Sequence, residues 1–126
     1  AIFMIRNDLT PENIVEKAKY IFDNGVHFTE KGIQDLQKIG QQAQESFSLS
    51  INALEDNSID EVIDTKRSED VVDRMEREMR EHHMQRLSEG KCSTSAGVAF
   101  LDVIGDLERI SDHADNIAGY VKSMLQ

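Results

Sequence analysis

Apolar side chains recur along the last third of this chain in alternating steps of three and four. Phe100, Val103, Leu107, Ile110, Ala114, Ile117, Val121 and Met124 predict one buried stripe on a long helix. Two more long helices follow from the same periodicity. Thr29-Glu30-Lys31 is a start signal, after which Ile33, Leu36, Ala43, Phe47, Ile51 and Leu54 hold one face to about Glu55. Gly40 lies in that stripe and predicts a close helix crossing, at about 1 kcal/mol of helix propensity. Asp56-Asn57-Ser58 is a tight connection, with Ser58 as cap and Glu61 in capping-box position. The next segment, Ile59 to Leu87, carries Ile59, Val62, Ile63, Val71, Val72, Met75, Met79 and Leu87, with a polar gap at Thr65 to Ser68. Glu89-Gly90 ends it, and Ser93-Thr94-Ser95 offers caps for the last helix. Ahead of all three, Thr10-Pro11-Glu12 reads as an N-cap with Pro at the first helical position. A short helix through Ile14, Ala18, Ile21 and Phe22 then stops near Asn24-Gly25.

Four helices with short connectors predict an all-α fold, an antiparallel helical bundle. A coiled coil between chains is the alternative, but the short connections favour packing within one chain. Composition narrows the partners. A formal charge of -10 and a pI near 4.7 disfavour nucleic acid, whose phosphates would be repelled, and unassisted docking on an anionic membrane face. The single Cys92 makes no internal disulfide and reads as an ordinary thiol of a reducing compartment. No apolar run is long enough to span a bilayer. The chain starts Ala1-Ile2-Phe3-Met4, without an initiator methionine, which predicts a piece of a longer protein.

Candidate chemistry lies in carboxylates. Glu108 and Asp112 are four apart, so they stack on one helix surface beside the predicted stripe. Glu69 and Asp73 have the same spacing on the preceding helix. If these two helices are antiparallel neighbours, the pairs face each other and form an oxygen-rich pocket suited to Mg, Mn, Fe or Ca. Clustered buried anions cost several kcal/mol each without compensation. A ring of salt bridges from Arg74, Arg77 and Arg109 is the other way to supply it, and spacing leaves both open. The histidines read as surface or interface groups, although Glu78 and His82 are spaced as a ligand pair. Three before His82, His83 and His113 stand Met79, Arg80 and Ile110, so the Glu-x-x-His spacing of di-iron bundles is absent. No Gly-rich phosphate loop, nucleophile elbow or base beside Cys92 supports catalysis. Met75, Met79 and Met84 form an adaptable stripe whose first two members core packing explains.

Asp106-Leu107-Glu108-Arg109-Ile110-Ser111-Asp112-His113-Ala114-Asp115-Asn116-Ile117-Ala118 resembles the final-helix signature of PhoU-like domains, with Ser111 where that signature has Gly. Val72-Asp73-Arg74-Met75-Glu76-Arg77-Glu78 resembles the family's middle helix. His83 to Cys92 and Ala96 to Asp102 are similar to one branch, the cytosolic PhoU-like tail of bacterial sodium/phosphate cotransporters of the type II-related group. The resemblance implies that residues 29–126 are one three-helix unit and that residues 1–28 are the closing helix of a preceding unit. Asn7-Asp8-Leu9 and Glu12-Asn13-Ile14 faintly echo Asp106-Leu107 and Asp115-Asn116-Ile117. Thr10-Pro11 interrupts the motif there, leaving Asp8 as its one remnant acid.

The resemblance also implies a function. The chain is expected to be a non-catalytic regulatory domain on the cytoplasmic side of the cell membrane, part of a sodium-dependent phosphate transporter. Its partners would be the transmembrane transporter domain of the same parent chain and a second copy in a homodimer. A stand-alone PhoU-type regulator, acting in trans on a transporter or sensor kinase, is the alternative. The family's acidic motifs fall on Glu69, Asp73, Glu108 and Asp112, which implies that these acids bind divalent or ferric ions (Fe, Zn, Mn or Mg).

Overall fold

The computed structural model describes residues 19–21 and 23–125. The Thr10 cap, Asp8 and most of the short helix expected around Ile14 and Ala18 lie outside the described residues. Residues 19–21 and 23 are helical, and Gly25 takes a left-handed φ of 57° just beyond. Three long helices follow: α1 (Glu30–Asp56), α2 (Ile59–Ser88) and α3 (Thr94–Leu125). Each packs on the other two, and the described residues contain no strand. This is the all-α antiparallel bundle expected from the periodicity.

The caps form where the sequence puts them. Thr29 Oγ1 accepts from the Gly32 N–H at 3.0 Å, Ser58 Oγ from Glu61 N–H at 3.4 Å, and Ser93 Oγ from Ala96 N–H at 3.1 Å. Each cap satisfies one amide that the first turn leaves without a helical partner. Asn57 turns the chain between α1 and α2 with a left-handed φ of 51°, a conformation asparagine tolerates well. Gly90, at φ 70°, does so after α2.

The buried stripes are rotated from the expected ones. On α1 the buried residues are Gly32, Asp35, Ile39, Ala43, Ser46, Ser50 and Ala53, while Ile33 and Leu54 are exposed and Leu36, Phe47 and Ile51 half-buried. On α3 the seam runs Phe100, Ile104, Ser111, Ala114, Ala118 and Val121, leaving Val103, Ile110 and Ile117 half-buried and Met124 exposed. On α2, Val62, Val72 and Met79 are buried as expected, with Thr65 and Ser68 filling the polar gap from inside. Ile59, Ile63 and Leu87 are exposed. The reason is steric. Three long helices approach closely only where small side chains line the axis, so serines and alanines take the centre and larger apolar groups flank it.

Larger side chains return at the end holding the start of α1. Ile39, Val72, Met79, Phe100 and Ile104 form the main core cluster there. The close approach is made by Gly97 rather than Gly40. A Cβ on Gly97 would stand 2.8 Å from His83 Nε2 and 3.0 Å from its Cε1, whereas one on Gly40 would meet Leu107 at an ordinary 4.0 Å. Gly97→Ala is therefore expected to lose about 1–3 kcal/mol to overpacking, against a helix-propensity gain of about 1 kcal/mol. Gly105, with open space where a Cβ would stand, is the control: Gly105→Ala should raise stability. Urea unfolding of both variants checks the pair, and equal effects would refute the close-approach role.

Candidate functional site

Successive turns of α2 present Glu69 and Asp73, and successive turns of α3 present Glu108 and Asp112. Because the helices run antiparallel, the two pairs meet in mid-bundle. Asp73, Glu108 and Asp112 each offer an oxygen within 4.8 Å of the other two. Glu69, Asp70 and Asp73 form a second such set on α2. Asp73 thus belongs to both sets. The four acids singled out by spacing are brought together through it, with Glu69 meeting the α3 pair only by way of Asp73.

A layer of hydroxyls fixes this register. Ser46 of α1 and Ser68 of α2 share a hydrogen bond of 2.6 Å, Ser111 of α3 donates to Ser46 at 3.3 Å, and Gln42 Nε2 donates to Ser68 Oγ at 2.8 Å. Ser46 and Ser111 are fully buried and Ser68 nearly so. Ser68 immediately precedes Glu69 and Ser111 immediately precedes Asp112, so the bonded layer holds both acid-bearing helices at the site. Satisfied buried networks of this kind specify one arrangement rather than add much net stability.

The electrostatics are unbalanced. Glu69 is buried, and burial, followed by its hydrogen bond with Asp73, pushes its pKa up to about 7 against the pull of Lys66. Burial and then the neighbouring Asp112 push Glu108 up to about 7 as well, with Asp73 and Glu76 adding to the field. Lys66 Nζ lies 3.1 Å from Glu69, 3.7 Å from Asp70 and 3.8 Å from Asp115. The hydrogen bond to Glu69 raises the lysine's own pKa.

The arginine ring allowed by the sequence does not form among the described residues. Arg109 pairs with Asp106 at 2.7 Å, Arg80 pairs with Glu76, and neither Arg74 nor Arg77 reaches the four acids. A carboxylate set of this kind relieves its repulsion by keeping protons or by gathering a cation.

The histidines are elsewhere. His82 Nδ1 faces Asp35 of α1 at 3.8 Å, not Glu78. His83 is buried and stacks on Phe100, with centroids 5.2 Å apart. His113 is buried too, and desolvation lowers its pKa. Both are interior groups rather than surface ones.

Periodicity missed Asp70, Lys66, Asp115 and Glu76, although Lys66 stands three residues before Glu69 on the same face. It also missed Asp35, which is 3 % exposed in the interface of α1 and α2. Lys31 at 3.2 Å, Arg86 at 3.7 Å and His82 at 3.8 Å surround that carboxylate. The available signal was its place in the series Gly32, Asp35, Ile39, at steps of three and four.

The profile of the PhoU domain family matches residues 36–121, a span that includes all four acids and the serine layer. The phosphate-specific transport system accessory protein PhoU homolog 1 of Thermotoga maritima is 25% identical over 105 residues, covering 83% of this chain and 44% of its own length. The chain therefore spans less than half of that curated relative. No solved structure matches the chain. Among the described residues, no helix is long and apolar enough to cross a membrane.

Proposed function

We propose, because the chain belongs to the PhoU domain family, that it is a non-catalytic regulatory module of phosphate uptake, acting on a sodium-dependent phosphate transporter from the cytoplasmic side of the membrane. The relative from Thermotoga maritima is named an accessory protein of a phosphate-specific transport system, which supports a transporter as the partner. The stretches His83 to Cys92 and Ala96 to Asp102 favour the cotransporter branch, with the transmembrane domain in the same parent chain. The name of that relative favours a second reading, a stand-alone regulator acting in trans. In both readings residues 29–126 are one three-helix unit and residues 1–28 close a preceding one.

The observation that carries the regulatory reading is the acid cluster between α2 and α3. Asp73, Glu108 and Asp112 converge from two helices with no basic side chain paired to them among the described residues. An ion held there ties α2 to α3, and its loss lets them repel, giving two packings with different affinities for the ion. Glu69, Asp73, Glu108 and Asp112 are the ligands of this reading. Their all-oxygen donor set suits Mg, Mn or ferric iron better than Zn, which takes nitrogen and sulfur more readily.

Melting the chain in EDTA and in added Mg, Mn, Fe or Zn tests the ion. At a hundred times its dissociation constant a bound ion adds about 2.7 kcal/mol, a clear rise in Tm. Asp73→Asn, which damages both acid sets, should abolish that rise, and its EDTA melt should lie at or above wild type because one of the mutually repelling carboxylates is gone. Identical wild-type melts in every metal would remove the ion from the reading. Phosphate uptake by cells carrying the parent transporter with and without residues 29–126 tests the regulatory role, and unchanged uptake kinetics would overturn it.

A further inference from the structure

A cleft of about 340 Å³ opens where the start of α1 meets the end of α2, well beyond Asp73 and the acid cluster. Lys31, His82, Arg86 and Lys91 line it. The chain has 24 acids against 14 lysines and arginines, so four basic side chains around one small cleft run against its composition. Of the carboxylates among the described residues, Glu89 alone lines the cleft with them.

Arg86 is the group that calls for a ligand. Its side chain is only 11 % exposed, yet its guanidinium makes no hydrogen bond among the described residues. The ion pair with Asp35 is long, at 3.7 Å, and the Phe100 ring lies 5.1 Å from the guanidinium carbon. Packing on a ring leaves the five N–H donors in the guanidinium plane unspent. A nearly buried charged donor without an acceptor is costly. Asp35 does not meet the need, because the same buried carboxylate is shared with Lys31 at 3.2 Å and His82 at 3.8 Å. One acid among three basic groups leaves positive charge for the cleft.

The remaining wall groups decide which anion fits. Thr29 Oγ1 accepts from the Gly32 N–H at 3.0 Å, which leaves its own hydrogen to donate. The N-terminus of the 27-residue α1 adds to the positive field. The end of α2 opposes it little, because the carbonyls of Gln85, Arg86 and Leu87 accept from the N–H groups of Glu89, Lys91 and Gly90. A planar arginine fork flanked by two point-charge lysines matches the oxygens of a phosphate. Glu89 then discriminates among oxyanions. Hydrogen bonds from Lys91 at 2.7 Å and Gln85 at 3.2 Å hold its carboxyl below the usual range, so at neutral pH it can only accept. Hydrogenphosphate brings a hydroxyl to donate to it. Sulfate and the phosphodiesters of lipid headgroups have none and meet repulsion instead. We propose that this cleft is a binding site for inorganic phosphate, which ties the start of α1 to the end of α2. Phosphate as the signal that governs uptake rests on the regulatory reading above, whereas the binding does not.

Titration calorimetry of the 126-residue chain with inorganic phosphate near neutral pH tests this. The chain is first stripped of metal and dialysed, so that no ion in the acid cluster carries phosphate. One site is expected, with sulfate and dimethyl phosphate weaker by about tenfold or more, the scale of one charged group left unpaired. Arg86→Lys, which keeps the charge and loses the fork, should weaken phosphate binding by about tenfold. Because Arg86 also packs on Phe100, a second variant avoids the core: Lys91, 64 % exposed, can become Gln without cost to the urea melt, and Lys91→Gln should weaken phosphate a few-fold. Glu89→Gln should raise sulfate affinity and narrow the preference, a change that damage to the fold does not produce. Absence of phosphate binding at millimolar concentrations overturns the proposal. So does binding that Arg86→Lys and Lys91→Gln both leave intact, or sulfate bound as tightly as phosphate. Each of those results leaves the regulatory reading to be decided separately, by uptake with and without residues 29–126.

Discussion

Phe100→Ala is expected to cost about 3–5 kcal/mol, near the top of the range for a large core truncation. Phe100 is 2 % exposed and sits in the main core cluster of the described residues, against Ile39, Val72, Met79 and Ile104. Three further groups depend on its ring. His83 stacks on it at 5.2 Å, the Phe28 ring meets it edge-on at 6.2 Å, and the Arg86 guanidinium lies 5.1 Å from its centroid. Arg86 is also one of the cations beside the buried Asp35. Removing the ring therefore leaves a cavity and frees the side chain that helps neutralise an interior carboxylate. Phe47, half-buried on α1, is the comparison, and Phe47→Ala should cost well under half as much. Urea unfolding measures both, and near-equal losses would show that the large-residue cluster does not anchor the bundle.

Those two phenylalanines also mark how far the sequence could be read. Both lie on apolar stripes at helical spacing, and the helices, their order and their caps follow from that spacing and from Thr29, Ser58 and Ser93. The face that turns inward does not follow from it. A helix with apolar groups on adjacent rows can roll by a third of a turn, and the roll is set by which small residues allow three axes to converge. Ser46, Ser68 and Ser111 occupy the centre because a hydroxyl is small and can bond across the axis. Polarity alone marks them as outward-facing. The same roll carries Asp35 and His83 inside. At the acid cluster the spacing of four identified Glu69, Asp73, Glu108 and Asp112, since that property belongs to one helix at a time. Lys66 reaching Asp115 across the helix pair is a tertiary contact with no counterpart in local periodicity.

Folding stability is expected to fall as pH rises from about 4.5 to about 7, opposite to the trend of ordinary acid unfolding. In the unfolded chain Glu69 and Glu108 titrate at about 4.3–4.5, whereas in the fold both are pushed up to about 7. Below the unfolded value both groups are protonated in either state, and their stabilising contribution is complete. Between the two values the folded chain holds protons that the unfolded chain has released, so each rise in pH favours unfolding. Above about 7 the contribution is gone, and the bundle carries two ionised, desolvated carboxylates facing Asp73 and Asp112. At 1.36 kcal/mol per pH unit, the well-buried Glu69 contributes at most about 3 kcal/mol to this slope. Glu108, half-buried and partly screened by solvent, contributes roughly half that. Glu69→Gln and Glu108→Gln should each flatten the curve by removing one titrating group. A cation gathered by the acids should do the same from the other direction, because it replaces the missing protons and has most to compensate above pH 7. Urea unfolding in EDTA between pH 4.5 and 8 separates these effects. A stability curve that climbs to pH 7 and is unchanged in both glutamine variants would mean that the two acids are hydrated and ordinary, and the electrostatic basis for an ion between α2 and α3 would go with it.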